Sequence, residues 1–285
     1  MWTACWAVLA TDRDLIDRCG LREPVEDGIL ACMTRLVFDE RLAAQLEAFY
    51  RRREVRRRRA LVLEALAAEP GDVILDVGCG PGFYVADLLD QGATVTGVDP
   101  SPAMLAIARQ RAPGADLLEG TATQLPVEDA AFDRALAVQV FEYVADVEAG
   151  LAELRRVLRP GGRLLIWDVD WSTLSWYSRD SERMARMLAA WDRHLANPVL
   201  PRALGAALRR AGFAGVQRHA HVFETRAMDP ETFGGNLPAM IHQYLSRLED
   251  VDQEDATAWL DELRERNASG EYSFAFTQFC FTATR

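Results

Sequence analysis

Three glycines at alternate positions form the most distinctive feature of the sequence. Gly78, Gly80 and Gly82 stand in the segment Leu75-Asp-Val-Gly-Cys-Gly-Pro-Gly82, which follows a short apolar run and precedes a helix-like one. Glycine has no Cβ, so the backbone can turn tightly there and approach a bound molecule closely. A helix beginning after the loop would present its free N–H groups to the same place. The segment therefore predicts a binding loop for a small molecule.

The spacing of these glycines narrows the class of ligand. A dinucleotide-binding loop has the pattern Gly-x-Gly-x-x-Gly, which would require glycine at position 83. That position is Phe83, and the third glycine comes one residue earlier. Asp76 stands two residues before the first glycine, where a carboxylate is badly placed beside a pyrophosphate but well placed near an ammonium group. The loop thus favours a ligand other than a dinucleotide.

A second acidic residue, Asp99, ends the next apolar run, at the end of a predicted second strand. A carboxylate at this place can accept hydrogen bonds from both hydroxyls of a ribose. The alternative is that it caps the helix opened by Pro102, for which Ser101 is the better candidate. Because the glycine loop and Asp99 follow each other in one strand–helix–strand unit, we interpret Asp99 as a ribose ligand.

These residues need a scaffold, and the surrounding pattern predicts one. Five short apolar runs alternate with helix-like segments between residues 73 and 169, which indicates a parallel sheet covered on both faces. Two further strands are predicted at 216–225 and 272–284, with a helical insertion between them at about 228–270. We therefore predict an α/β fold: a Rossmann-like, seven-stranded, mostly parallel sheet with helices on both faces. An N-terminal helical cap is predicted over residues 1–68 and the sheet domain over 69–285.

The sequence resembles the class I S-adenosylmethionine-dependent methyltransferases over about residues 45 to 225. Besides the glycine loop and Asp99, the resemblance is carried by three segments: Gly120-Thr-Ala-Thr-Gln-Leu-Pro126, Gln139-Val-Phe-Glu-Tyr-Val-Ala-Asp146 and Leu158-Arg-Pro-Gly-Gly-Arg-Leu-Leu-Ile166. It is similar above all to the quinone-biosynthesis-like, small-molecule subgroup. The resemblance implies that S-adenosylmethionine is the cofactor and that a small molecule is methylated, with an O, N or C acceptor left open. The aromatic residues after strands four and five favour an apolar or aromatic molecule.

The resemblance also implies a set of cofactor-binding residues. The glycines would shape the pocket for the methionine part, Met104 and Ala122 would flank the adenine, and Gln139 would lie near the methionine part. The full predicted set is Asp76, Gly78, Cys79, Gly80, Gly82, Asp99, Pro100, Met104, Thr121, Ala122 and Gln139. The family often has an acid at the position of Thr121, where it accepts from the adenine amino group. A hydroxyl makes this bond more weakly than a carboxylate does.

The acceptor is expected just past the ends of strands four and five, because open α/β sheets bind their ligands beyond the carboxyl ends of the strands. The candidates for orienting or deprotonating it are Asp168, Glu142 and His194. An aromatic pocket is predicted from Tyr143, Trp171, Trp176 and Tyr177. The alternative for the tryptophans is that they pack the cap against the sheet, and for His194 that it is an ordinary core or surface residue.

Composition excludes several classes of function. All 32 basic residues are arginine, so lysine Schiff-base chemistry is excluded. The net charge of −11 argues against nucleic-acid binding, and we interpret the arginines at 51–59 as the solvated face of a helix. Five scattered cysteines predict neither a metal site nor a disulfide framework.

The sequence also bears on location and on competing functions. No apolar run approaches the roughly 20 residues of a membrane span, so we predict a cytoplasmic protein, and the arginine- and alanine-rich composition suggests a bacterial one. Two alternative functions stay open. One is an enzyme that uses the bound sulfonium without transferring its methyl group, and the other is a catalytically silent, methyltransferase-like interaction subunit. The oligomeric state is not predicted.

Overall fold

Strands and helices alternate along residues 49–285, the part of the chain that the computed structural model describes. The strands are β1 (Val73–Val77), β2 (Thr94–Asp99), β3 (Asp116–Glu119), β4 (Phe132–Val138), β5 (Leu158–Trp176), β6 (Ala214–Thr225) and β7 (Phe274–Thr284). The helices are α1 (Arg53–Leu66), α2 (Phe83–Asp90), α3 (Pro102–Arg111), α4 (Val147–Val157), α5 (Ser181–Asp192), α6 (Pro201–Arg210), α7 (Phe233–Leu245) and α8 (Gln253–Ala268), and a 3₁₀ turn spans Phe141–Tyr143.

Residues 1–48 carry several of the sequence-based expectations and lie outside the described residues. These expectations are the first helices of the predicted cap and the environments of Cys5, Cys19 and Cys32. Within the described part, α1 contacts β5 and β7. The cap boundary at residue 68 stays a prediction.

The seven strands form one sheet in the order β3-β2-β1-β4-β5-β7-β6. Neighbouring strands from β3 to β5 are parallel, whereas β7 runs antiparallel to both β5 and β6. The predicted seven-stranded, mostly parallel sheet is therefore confirmed. Its core is built by inward-facing apolar residues of β1, β4 and β5, which pack against the apolar faces of α4 and α6.

The register of the central strands decides where polar side chains meet. Val77 of β1 pairs with Val98 of β2 and with Ala137 of β4, and Ala137 in turn pairs with Ile166 of β5. The glycine loop therefore leaves the sheet at the same level as the carboxyl ends of β2 and β4 and the middle of β5. One or two residues further along each strand, the chain reaches the positions predicted to bind ligands.

The insertion before the last strand is confirmed as two helices, α7 and α8, which contact each other and α5. Trp259 and Leu263 of α8 are buried there. A segment that looked helical from its apolar spacing thus enlarges the hydrophobic core beside the sheet. Among the described residues, no helix combines the length and the apolar character needed to cross a membrane.

Candidate functional site

The glycine loop has a backbone that other residues rarely adopt. Gly78, Gly80 and Gly82 have φ values of 68°, 51° and 78°, all in the left-handed region. A Cβ at Gly78 would overlap the side chain of Val140, and one at Gly82 would lie 2.9 Å from Ala108 Cβ. A Cβ at Gly80 would meet nothing within 4 Å. The loop is thus closed on two sides and faces open space at Gly80, as close approach by a ligand requires.

Two carboxylates border this open space. Asp76 is 1% exposed, and its Oδ2 atom has no hydrogen-bond partner. Burial, and then the charge of Asp99, raise the pKa of Asp76 well above its ordinary value. Asp99 is held at both oxygens, since Oδ2 accepts from Gly80 N and Oδ1 from Ser101 N, each at 2.8 Å. Each oxygen of a carboxylate has two lone pairs, so Asp99 can also accept from a pair of hydroxyl groups.

Ser101, and not Asp99, caps the next helix, because its hydroxyl accepts from Met104 N at 3.3 Å. This is the arrangement that the sequence favoured, and it leaves Asp99 available to a ligand.

The predicted adenine side divides into buried and exposed residues. Met104 and Ala122 are buried, whereas Pro100 and Thr121 are exposed. The hydroxyl of Thr121 lies 3.3 Å from that of Thr123. Burial, and next the charge of Asp76, raise the pKa of Cys79, so its thiol is a neutral wall of the loop. The exposed Thr121 hydroxyl can form a hydrogen bond with a ligand.

Arg58 is a functional candidate that sequence reasoning missed. It lies on α1, is 1% exposed, and donates through Nη1 to the Oε1 atom of Gln139. Its Nε atom has no partner, and no ion pair joins it to a carboxylate among the described residues. Its guanidinium lies 5.8 Å from the ring centre of Tyr50 and 5.8 Å from that of Phe233.

The prediction that the whole arginine run is a solvated face was wrong at Arg58. The buried stripe of α1 contains Val55, Arg58, Val62 and Leu66, which is the three-to-four-residue spacing of one helix face. Arg56 and Arg57 point outward and are exposed, as predicted. The spacing from Val55 and Val62 was the signal that could have identified Arg58.

Gln139 follows β4 and holds an uncommon backbone conformation with φ of 56°. Its N–H donates to Trp167 O at 2.6 Å, and its side-chain oxygen accepts from Arg58. A non-glycine residue in this region is costly unless its surroundings hold it, and such residues cluster at functional sites. The structure thus places Gln139 between Arg58 and the carboxyl end of β4.

Glu142 is completely buried in the 3₁₀ turn after β4. Its Oε2 atom accepts from Trp171 Nε1 at 3.0 Å, and its Oε1 atom has no partner. Its backbone oxygen accepts from the N–H groups of Ala196 and Asn197, both at 2.9 Å. The backbone of the turn and the Oε2 atom are therefore each held by hydrogen bonds, while Oε1 has no partner.

Asp168 lies in β5 and is also completely buried. The backbone N–H groups of Val140, Phe141 and Glu142 lie near the Asp168 carboxyl group and favour its charged form. None of these amides makes a hydrogen bond of ordinary geometry, so neither oxygen of Asp168 has a partner. Burial, and then the charge of Glu142, raise the pKa of Asp168 well above its ordinary value.

The two carboxyl groups form an electrostatically linked pair. Burial raises the pKa of Glu142 to about 7, against the opposing effects of its hydrogen bonds from Trp171 and Val169. Two neighbouring buried carboxyls cannot both be charged without a large cost, so one proton is retained between them near neutral pH. Such a pair can accept a proton from a bound molecule.

His194 lies at the centre of a group of aromatic rings. Its ring centre is 4.0 Å from that of Trp191, 5.3 Å from Tyr244, 5.9 Å from Tyr143 and 6.1 Å from Trp171. Burial lowers the pKa of His194 to about 4, so the ring is neutral at pH 7. Together with Glu142 and Asp168, these residues are called the acid–aromatic cluster below.

Trp176 and Tyr177 are not brought to this cluster. Trp176 donates to the hydroxyl of Tyr272 at 2.7 Å and lies edge-on to Trp259, so it packs the insertion against the sheet. Tyr177 is 57% exposed and lies under the guanidinium of Arg266. The reason is the length of β5: Asp168 pairs with Phe279 of β7 and Trp176 with Phe274, five positions apart on β7, which in an extended strand is about 17 Å.

The remaining members of the cluster were not predicted because they come from distant segments. Trp191 lies on α5 and Tyr244 on α7, inside the insertion. Neither belongs to a local motif, and only the packing of α7 against α5 brings them to the ends of β4 and β5. Among residues 49–285, no group of three or more His, Cys, Asp and Glu side chains is placed to hold a metal ion.

Comparison with known proteins gives the family context of this geometry. The family model described as "Methyltransferase domain" matches residues 75–166. An uncharacterized methyltransferase of Synechocystis is 32% identical over 167 residues, which are 56% of this chain and 76% of that protein. A demethylmenaquinone methyltransferase of Beutenbergia cavernae is 40% identical over 118 residues, 41% of this chain and 48% of that protein.

Among solved structures, the YcgJ protein of Bacillus subtilis is similar in fold, with a TM-score of 0.56 at 19% identity over 80% of this chain and 97% of that one. The chain spans about half the length of the first curated relatives it matches. The matched region of the family model runs from β1 to the middle of β5, so it contains the glycine loop, Asp99, Glu142 and the start of the acid–aromatic cluster.

Proposed function

The chain belongs to the S-adenosylmethionine-dependent methyltransferases, and from this premise we propose that it transfers the methyl group of S-adenosylmethionine to a small molecule. One observation carries the proposal. Asp99 is held at both oxygens beside the open space above Gly80, and the unpartnered Oδ2 of Asp76 is buried next to it. This pair suits a ligand with two hydroxyls and an ammonium group.

The residues of the loop suit the chemical groups of this cofactor. In the proposed arrangement Asp76 accepts from the amino group of the methionine part, and Asp99 accepts from the two ribose hydroxyls. Met104 and Ala122 provide buried apolar surface for the adenine. Thr121, Pro100 and Cys79 line the outer edge of the same site.

Arg58 completes the cofactor site in this proposal. A buried arginine without a carboxylate partner is expensive to keep, and a bound carboxylate would remove that cost. Its fork of N–H groups suits a carboxylate, and its contact with Gln139 directs it to the methionine end of the site. We therefore assign the methionine carboxylate to Arg58.

The acid–aromatic cluster is the proposed acceptor site. The bound cofactor supplies an activated methyl group on a sulfonium, so this chain's residues must mainly hold the acceptor in line and exclude water. Orientation of this kind can contribute on the order of 7–11 kcal/mol. The Glu142–Asp168 pair can take a proton from the acceptor, a role that adds roughly 10²–10⁴-fold where it is needed. Trp171 and Tyr143 provide walls, and His194 is neutral.

Calorimetric titration of the full chain with S-adenosylhomocysteine tests the cofactor site, and a screen of small-molecule acceptors by mass spectrometry tests the transfer. We expect saturable binding of one molecule per chain and a product heavier by one CH₂ unit. Absence of binding in a folded preparation would contradict the proposal. Binding without a heavier product would favour the alternative of non-methylating sulfonium chemistry, and no described residue favours either alternative function. The cytoplasmic location and the lack of a nucleic-acid partner stay predictions.

A further inference from the structure

We propose that the methyl acceptor is an amine, which enters the acid–aromatic cluster as its ammonium form. This inference rests on the proposed function, since it concerns the acceptor side of the same site. It is carried by an imbalance between hydrogen-bond acceptors and donors in the cluster, and by the rings that surround them.

Four acceptor atoms of the cluster lack a donor among the described residues. Three are carboxyl oxygens, namely Glu142 Oε1 and both oxygens of Asp168. The fourth is Nε2 of His194, because Nδ1 bonds the backbone oxygen of Trp191 and a carbonyl oxygen can only accept. Nδ1 therefore carries the proton of the neutral ring, and Nε2 presents a lone pair.

Few further donors lie in the same place: the Tyr143 hydroxyl acts on Glu142, and the amides beside Asp168 make no hydrogen bond of ordinary geometry with it. Within the part of the cluster that the structure describes, the N–H group without a partner is Trp191 Nε1. Buried polar groups in folded proteins are nearly always hydrogen-bonded, so partners for these atoms are expected from outside the described residues, and a ligand or water can supply them. The proton retained by the Glu142–Asp168 pair can satisfy one of these acceptors, and a ligand that satisfies the other three must bring several N–H donors. An ammonium group brings up to three, whereas a hydroxyl brings one and a carboxylate none.

The aromatic rings of the cluster also favour an ammonium group over a hydroxyl group. The rings of Tyr143, Trp171, Trp191 and Tyr244 surround the neutral His194. An ammonium group is attracted to aromatic faces, most strongly where water is excluded, whereas a neutral hydroxyl is not. The nearest described cation, Arg58, acts on Glu142 but donates its hydrogen bond to Gln139 on the cofactor side.

The reaction balances with groups that the site contains. The bound ammonium gives one proton to the Glu142–Asp168 pair, which carries one negative charge before the transfer and none after it. The free lone pair on nitrogen forms the new N–C bond while the C–S bond breaks, and its electron pair leaves with sulfur. The product is a methylated ammonium ion, and no oxidant, reductant or metal is needed.

Matched amine and alcohol probes test the inference on the full chain saturated with S-adenosylhomocysteine. The pairs are phenethylamine with 2-phenylethanol, tryptamine with tryptophol, and 2-cyclohexylethylamine with 2-cyclohexylethanol. Binding is measured by calorimetry at pH 7.5. We expect at least one amine to bind about tenfold or more tightly than its alcohol, because a desolvated ammonium group is attracted to aromatic faces and a hydroxyl group is not.

Asp168→Asn should reduce that preference to about threefold or less, because the amide keeps the shape but loses the charge and offers donors in place of acceptors. Asp192→Asn is the matched control, since Asp192 is a half-buried carboxylate on α5 outside the cluster, and it should keep the preference. Thermal unfolding checks that each variant folds, and the comparison of probes on the unmodified chain stands without them.

Each possible result of these experiments either supports or overturns the inference. Equal or tighter binding of every alcohol overturns the inference, and so does a lack of measurable binding by all three amines. A preference that survives in Asp168→Asn overturns the role of the carboxyl pair. Failure of the proposed function is seen separately, because the S-adenosylhomocysteine titration that precedes the probes would then show no binding.

Discussion

Replacement of Arg58 by methionine tests the assignment of the methionine carboxylate. Arg58 is buried, its Nε atom is unpartnered, and its Nη1 atom donates to the neutral side chain of Gln139. If its free Nε–H group holds the carboxylate, Arg58→Met removes a charge-assisted hydrogen bond worth about 1.5–3 kcal/mol. The affinity for S-adenosylhomocysteine should fall by about 10- to 150-fold.

In the ligand-free protein, by contrast, the same substitution should not lower the free energy of unfolding. A buried cation without an anionic partner is destabilising, and a methionine of similar length fills the space between Tyr50 and Phe233 without a charge. We therefore expect the free energy of unfolding of Arg58→Met, without ligand, to be unchanged or higher than that of the unmodified chain. A merely structural role of Arg58 would lower it.

The assay is calorimetry with two ligands. S-adenosylhomocysteine carries the carboxylate, and 5′-methylthioadenosine is a matched ligand without it. Arg58→Met should weaken binding of the first and leave binding of the second within about twofold. Arg56→Met, an exposed arginine on the same helix, is the control and should change neither. Equal losses for both ligands, or no loss for either, would show that Arg58 does not bind the carboxylate.

Three other predictions follow from the described contacts. Asp99→Ala should weaken S-adenosylhomocysteine binding by about 10-fold or more while the circular dichroism spectrum is kept, because hydrogen bonds to a charged group are lost; unchanged affinity would show that Asp99 is not the ribose ligand. Gly80→Val should nearly abolish binding, since a branched Cβ would enter the open space and φ is 51°; normal affinity with normal stability would refute the position of the pocket. Burial raises the pKa of Glu142 from its ordinary 4.5 to about 7. The protonated side chain therefore stabilises the folded state fully below pH 4.5, and this stabilisation is lost as the pH rises through 7. Glu142→Gln should therefore be more destabilising at pH 5 than at pH 8, by up to roughly 3 kcal/mol, in urea unfolding followed by tryptophan fluorescence; a pH-independent difference would show that Glu142 has an ordinary pKa.

The parts of the structure that the sequence predicted are those fixed by local rules. Glycine spacing and short apolar runs are set by backbone freedom and by burial of a parallel strand, so the loop at Gly78 and the strand before Asp99 could be located. The cap at Ser101 follows from the same local chemistry. The insertion was recognised because its apolar residues repeat at helical spacing.

The parts that could not be predicted depend on contacts between distant segments. Trp176 and Trp171 both follow the predicted fifth strand, but β5 continues to Trp176 with an irregularity between Asp170 and Ser175. Trp171 therefore reaches Glu142, whereas Trp176 reaches Tyr272. Conversely, Trp191 and Tyr244 are 53 residues apart in the chain and lie edge-on at 5.3 Å. A motif describes neighbours in sequence, whereas the acceptor side of this site is assembled by packing between α5 and α7.

Arg58 shows why charge in a sequence is a weaker guide than position. Seven arginines between 51 and 59 raise the expectation of a solvated face, and for the exposed members of the run that expectation is correct. One of them lies on the buried stripe of the helix, where an uncompensated charge costs several kcal/mol. On the other side of Gln139, the Glu142–Asp168 pair is buried with unpartnered oxygens of the opposite sign. The charge of Arg58 acts on Glu142, but no ion pair joins Arg58 to either carboxyl group among the described contacts. The simplest reason for keeping both is a pair of ligands that brings an anion to Arg58 and a cation to the carboxyl pair.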